Sequence, residues 1–260
     1  MIKLTLKYLA YKIFSRHRYG HGIHSPFVYQ FIRNVLVNRE KDNKLRELYA
    51  WHKRVNKNQI RTGKNGFGAG SAYIKKSERT AMISAGKIGV SHKYGALLYR
   101  IAHYFSPSLI IELGTGSGIS TAYLASADSS TEVITVEGDA DRASFAKQVL
   151  SELELNNCNF VVDDFKHFLD GLKSVKKPFL VFIDGDHNFQ PTMDYFNYFT
   201  GVADIECIVI FDDIRWSEDM LKAWKKIIND PRVVVSIDLF FMGIVFFNTS
   251  VTPQKLIINF

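Results

Sequence analysis

From Ser108 onward the chain alternates short apolar runs with amphipathic stretches, and this alternation constrains the fold more than any other feature. The runs are SLIIEL, EVITVEG, NFVVDD, FLVFIDGD, CIVIFDD, VVVSIDLF and GIVFFN. Stretches of helical spacing lie around 119–127, 140–153, 165–174, 189–200 and 217–229. Runs that are apolar throughout, rather than at every second residue, belong to strands covered on both faces, which predicts a parallel sheet. The last two runs are separated only by residues around FMG, too few for a crossover helix, so they are expected to form an antiparallel hairpin. Five βα units closed by such a hairpin read as an α/β fold, a Rossmann-like doubly wound sheet. A dinucleotide dehydrogenase would usually show six parallel strands instead.

Charge divides the chain near residue 100. Residues 1–100 hold 21 Lys and Arg against 4 Asp and Glu, whereas residues 101–260 hold 12 against 22. Ile2, Leu6, Leu9 and Ile13 recur at i, i+4, i+7 and i+11, one apolar stripe with lysines beside it. PFVYQFIRNVLV and SHKYGALLYRIAHYF are further helix candidates, and the glycine- and lysine-rich NKNQIRTGKNGFGAGSA between them reads as loop. The expected division is a basic, mainly helical cap over 1–100 with no strand of its own, and a catalytic domain over 101–260. No apolar run approaches the roughly 20 residues that span a bilayer. Lysines interrupt the N-terminal stretch, and Cys158 and Cys207 sit far apart in strand-like contexts. A cytoplasmic protein with free thiols is expected.

Two glycine-spaced turns compete for a cofactor. IIELGTGSGIS at 110–120 follows an apolar strand and opens a helix, the placement that phosphate- and nucleoside-binding turns require. GFGAGS at 66–71 follows RTGKN, which is no buried strand, and is expected to be a tight turn near the mouth of the site. The first turn has GxGxG spacing, Gly114, Gly116 and Gly118, with Ile119 where a dinucleotide fingerprint has its third glycine. Glu112 stands before it, and Glu137 ends the next strand. A carboxylate at that strand end can accept both ribose hydroxyls, and one before the glycines suits a ligand with a free ammonium. S-adenosylmethionine has that amine, a ribose and no pyrophosphate.

Residues 108–248 resemble class I S-adenosylmethionine-dependent methyltransferases, and most of all the catechol and caffeoyl-CoA O-methyltransferase-like group. ELGTGSGIS matches the first motif of that group, TVEGDADRA the second and VVDDF the third. The resemblance implies that Gly114, Gly116 and Ser120 hold the methionine end, with Gly118 in the same turn, and that Glu137 holds the ribose. It places Asp164 or Asp163 at the adenine amino group and Phe165 beside the ring. HGIHSPF and GFGAGS also resemble stretches in a set of bacterial methyltransferase-like proteins.

FIDGDHNF and IFDDIRW bring Asp184, Asp186, Asp212 and Asp213 to strand tips. Clustered carboxylates repel unless a cation neutralises them, and hard oxygen ligands suit Mg²⁺ or another divalent cation. The family resembled uses an Asp after the fourth strand and an acidic pair after the fifth for such an ion, which implies Asp184, Asp212 and Asp213 as metal ligands. That family often places a lysine base three residues after the first aspartate. Here the position is His187, which can itself take a hydroxyl proton. Asp184 and Asp186 could instead only cap the following helix.

The expected activity is O-methylation of a small hydroxylated acceptor, with Asp184 and His187 as catalytic residues and metal assistance left open. The basic first hundred residues suit a solvated face, an anionic acceptor, or a grip on nucleic acid or a membrane. An RNA or protein methyltransferase is the first alternative, and a cofactor-binding protein without efficient catalysis the second. A homodimer is also compatible. His17, His21 and His24 lie among glycines and a proline, where a loop is expected rather than a metal-binding helix face.

Overall fold

A computed structural model describes residues 2–15, 19–38, 42–62 and 81–260. Gly66–Ser71 and His17 lie outside the described residues. The chain forms two compact units, one of Met1–Arg39 with His187–Phe260 and one of Glu40–Asp186.

The unit of residues 40–186 is built on four parallel strands. In chain order it contains α3 (Asn43–Val55), β1 (Gln59–Thr62), β2 (Ala81–Ser84), α4 (His92–Phe105), β3 (Leu109–Leu113) and α5 (Ile119–Ala125). These are followed by β4 (Glu132–Glu137), α6 (Ala140–Leu150), β5 (Cys158–Val162), α7 (Phe165–Gly171) and β6 (Phe179–Ile183). β3 lies between β6 and β4, and β4 pairs with β5, each pair parallel. All residues of β3 and β6 are buried, apolar throughout but for Glu112. Burying each such Leu, Ile, Val or Phe side chain contributes roughly 1.5–3 kcal/mol. Asp139 caps α6 through the amides of Asp141 and Arg142, and Asp164 caps α7 through those of Lys166 and His167.

The other unit carries α1 (Ile2–Phe14), α2 (Pro26–Phe31) with a π-helical turn (Ile32–Leu36), α8 (Phe189–Val202), β7 (Ile208–Phe211), α9 (Glu218–Ile227), β8 (Val235–Asp238), β9 (Gly243–Phe246) and β10 (Gln254–Ile257). β9 runs antiparallel to both β7 and β8 and lies between them, so the expected closing hairpin is present. β10, short and half polar, adds a parallel edge to β8 that the sequence reading did not anticipate.

One feature of the first hundred residues differs from expectation. β1 and β2 form an antiparallel pair, so this region does have strands of its own. Among the described side chains of β1 only Ile60 is buried, and a strand of four residues leaves too little pattern to read. Of the apolar stripe of α1, Leu9 is 52% and Ile13 75% exposed, while Tyr8 and Tyr11 pack against Phe240. By packing, the chain divides at residues 39 and 186. Cys158 and Cys207 are free, as expected.

One buried ion pair organises the closing hairpin. Asp238 accepts two bonds from the Arg215 guanidinium, both 2.7 Å, and others from the Trp224 indole at 3.0 Å and the Phe240 amide at 2.9 Å. Arg215 also donates to the Phe240 carbonyl and lies over its ring. Removing one partner strands the other charge away from water, so Asp238→Ala is expected to cost about 3–5 kcal/mol. Urea unfolding checks this.

Candidate functional site

The parallel register Leu113↔Val136 brings the exit of β3 beside the exit of β4. The amides of Gly114 and Thr115 both donate to the Val136 carbonyl, at 2.9 and 3.3 Å, which turns the chain sharply over the sheet. Gly114, Gly116 and Gly118 all have positive φ, at 109°, 55° and 76°. A Cβ at Gly114 would lie 2.2 Å from the backbone oxygen of Asp184, so no side chain fits there. The turn feeds α5, whose first residues, Ile119, Ser120 and Thr121, are buried.

Two buried carboxylates flank the turn. Glu137 accepts the Gly116 amide at 2.9 Å and the Asp139 amide at 3.0 Å, with Arg142 4.0 Å away. Burial raises its pKa, and Arg142 and the two amides pull it back. A carboxylate has about four acceptor sites, so two remain for a ligand. Glu112 is fully buried. Its Oε2 accepts from Thr121 and Thr135, and its Oε1 is buried with no protein partner. Burial pushes its pKa up to about 7, against the lowering effect of the Ser120, Thr121 and Thr135 hydroxyls. An unpartnered buried oxygen beside the glycine turn fits the amino group of an amino-acid-bearing nucleoside.

The third-motif residues hold mostly to their own loop. Asp164 is exposed and caps α7, while Asp163 accepts from the Asp164 amide at 2.8 Å and lies 2.7 Å from the His167 ring. Phe165 is buried, its ring within 2.3 Å of where a Gly185 Cβ would stand. Phe165 therefore lies on the turn after β6, the turn that carries Asp184, Gly185 and Asp186. Asp186 is left-handed, with φ 60°.

In the other unit, the turn after β7 presents Asp212 and Asp213, with Asp213 at φ 52°. Burial raises the pKa of both carboxyls; Asp213 raises that of Asp212 further, and His187 lowers that of Asp213. His187 Nε2 lies 3.9 Å from Asp213 Oδ2, and its ring is 6.3 Å from that of Trp216. Among the described residues, no three His, Cys, Asp or Glu side chains are gathered as a metal group. No step is derived through a divalent ion.

The sequence reading missed residues 85–92. A Cβ at Gly89 would meet the Ser117 hydroxyl at 2.6 Å, and one at Gly116 would meet the Ile88 carbonyl at 3.0 Å, so this segment lies directly on the glycine turn. Beside it is a cleft of about 280 Å³ whose walls include Tyr49, His52, Lys53, Asn56, Ser91 and His92. The buried Tyr123 hydroxyl lies between His52 Nδ1, at 3.1 Å, and His92 Nδ1, at 2.7 Å. Burial lowers both histidine pKa values, that of His52 to about 4. No local pattern marks this cluster, because its members come from α3, α4 and α5.

Two outcomes follow for the cofactor-free protein. Gly114→Ala should abolish nucleoside binding measured by calorimetry, because the backbone it would strike cannot move without shifting β6. The carboxyl of Glu112 has its folded pKa raised from 4.5 to about 7. The folded state then binds more protons between these values, so stability falls as pH rises through that window. Glu112→Gln should remove this fall, worth at most roughly 3 kcal/mol at 1.4 kcal/mol per pKa unit. Urea unfolding of both proteins at pH 4.5 and 7.5 measures the difference.

Residues 111–214 match a family model described as a methyltransferase domain. A candidate O-methyltransferase from Klebsiella pneumoniae superposes with a TM-score of 0.59 at 16% identity, covering 83% of this chain and 94% of that one. The O-methyltransferase TomG from Streptomyces achromogenes, solved with SAM, gives 0.55 at 18%, covering 85% and 94%. The Bacillus cereus O-methyltransferase solved with SAH gives 0.54 at 21%, covering 85% and 97%. An uncharacterized protein of Acanthamoeba polyphaga mimivirus is 37% identical over 54 residues, 20% of this chain and 24% of that relative's length. The matched domain begins inside β3 and takes in the glycine turn, both flanking carboxylates and the acidic turns after β6 and β7. Residues 111–214 thus match a methyltransferase domain, and the chain shares the fold of these O-methyltransferase structures.

Proposed function

We propose that the protein transfers a methyl group from S-adenosylmethionine to a hydroxyl of a small acceptor. The observation that carries this reading is the turn Gly114–Gly118, bent by three positive-φ glycines between the buried carboxylates Glu112 and Glu137. Glu112 Oε1 takes the amino group, Ser120 the carboxylate end, and the free acceptor sites of Glu137 the ribose hydroxyls. Phe165 flanks the base, with Asp163 or Asp164 at its amino group. When bound, the sulfonium supplies an already activated methyl group, so the chain's own task is to orient the acceptor and take up its proton.

His187 takes that proton in this reading. It follows Asp184 by three residues in the turn after β6, and Asp213 stands where it can orient the imidazole and stabilise its protonated form. Asp184 and Asp186 shape the same turn. The acceptor is a small hydroxylated molecule, and the positive balance of residues 1–100 favours one that carries negative charge.

The test is twofold. Glu137→Ala should weaken S-adenosylhomocysteine binding by about 10- to 100-fold, the scale of losing charged hydrogen bonds. His187→Gln should bind it as the parent does, while transfer of labelled methyl groups falls by about 10²–10⁴. Unchanged S-adenosylhomocysteine binding by Glu137→Ala would remove the cofactor assignment. Unchanged turnover by His187→Gln would remove the base alone.

A further inference from the structure

Helix α1 has one covered apolar face, and on its other apolar stripe the described side chains are exposed. On the covered face, Tyr8 packs edge-on to Phe240 at 4.9 Å and beside Phe241 at 6.1 Å, and Tyr11 lies 5.2 Å from Phe240. The Tyr11 hydroxyl donates to the Ile258 carbonyl and accepts the Phe260 amide at 3.0 Å. Burial pushes the Tyr11 hydroxyl pKa up to about 12, so this clamp is neutral across the physiological range. The opposite face is the stripe of positions 2, 6, 9 and 13. Its two described side chains, Leu9 and Ile13, are 52% and 75% exposed. Ile257, next to the clamped Ile258, is 49% exposed as well.

The charges around that stripe have one sign. Residues 1–39 contain seven Lys and Arg and no Asp or Glu. At about 100° per residue, positions 3 and 7 fall on one flank of the stripe and position 12 on the other. Lys12 donates to the Asn259 side-chain oxygen at 2.6 Å and the Phe260 main-chain oxygen at 3.1 Å. An apolar ridge between basic flanks, on a helix fixed at its back, is the pattern of a helix that lies in a membrane interface. Of the occupants such a ridge could take, a nucleic acid would pair with the lysines and leave Leu9 and Ile13 in water. A second copy meeting it through the same face would bring seven like charges against seven.

We propose that α1 seats this protein on an anionic lipid surface, with Leu9 and Ile13 inserted among the acyl chains and the flanking lysines at the headgroups. This adds a location to the methyl-transfer reading and does not depend on it. Binding comes from apolar burial together with attraction to anionic lipid, so both should be needed.

Co-sedimentation of the full chain with vesicles tests the proposal. The protein should pellet with vesicles containing phosphatidylglycerol, stay in solution with pure phosphatidylcholine, and be released by raised salt. Leu9→Ser combined with Ile13→Ser should lower the partition coefficient by about tenfold or more, given two large apolar side chains at the interface. Leu9→Met with Ile13→Leu, which keeps the apolar area, should bind as the parent does. Both variants should keep the parent's near-ultraviolet circular dichroism, because the altered side chains face away from Tyr8 and Tyr11. Equal pelleting by the serine variant, or equal pelleting with neutral vesicles, would overturn the proposal. So would a dimer in sedimentation equilibrium that the serine variant splits, or a salt-sensitive RNA complex with no vesicle binding.

Discussion

The Gly116 amide donating to the buried carboxylate of Glu137 is the contact on which the proposed chemistry of residues 40–186 depends. It exists only because β3 and β4 run parallel in one register, with Leu113 opposite Val136 and Glu137 one step beyond. A slip of one residue would turn Glu137 to the other face of the sheet and leave the turn without its acceptor. The Val136 carbonyl takes two further amides of the turn, so strand pairing and ligand cradle are set by the same bonds. Binding geometry is therefore as rigid as the sheet itself.

That rigidity is obtained by burying acids, and the chain offsets the cost with hydroxyls and amides rather than with close cations. Glu112 sits under Thr121 and Thr135, and Thr135 in turn meets Thr115. Arg142 approaches Glu137 only to 4.0 Å. A cofactor amine would complete what the hydroxyls leave undone at Glu112, so the most costly buried group in the empty protein becomes a source of affinity in the loaded one.

The strands, the glycine turn and its two carboxylates could be read along the chain because each is local: an apolar run, a GxGxG spacing, an acid at a strand end. The antiparallel closing hairpin was legible from the shortness of its connection. What could not be read depends on partners distant in sequence. The stripe of Ile2, Leu6, Leu9 and Ile13 has the spacing of a core face, yet α1 buries its tyrosines, because the available surface is aromatic and supplies a carbonyl for Tyr11. Among its described side chains, the β1–β2 pair buries only Ile60. Segment 85–92 joins the glycine turn through the absence of a side chain at Gly89, which sequence alone does not distinguish from an ordinary loop glycine. The aspartates after β6 and β7 were legible as strand-tip acids, but whether three would gather as ligands depends on side-chain placement that spacing does not encode.

The Tyr123 hydroxyl has a single hydrogen, and two imidazole nitrogens face it. It can donate to only one of them, so the other ring must carry its own hydrogen on Nδ1 and give it to the phenol oxygen. The two histidines are thereby held in opposite tautomers, and an event in the cleft that reverses one must reverse its counterpart. At position 123 a phenylalanine would uncouple them, leaving each ring to choose its tautomer alone.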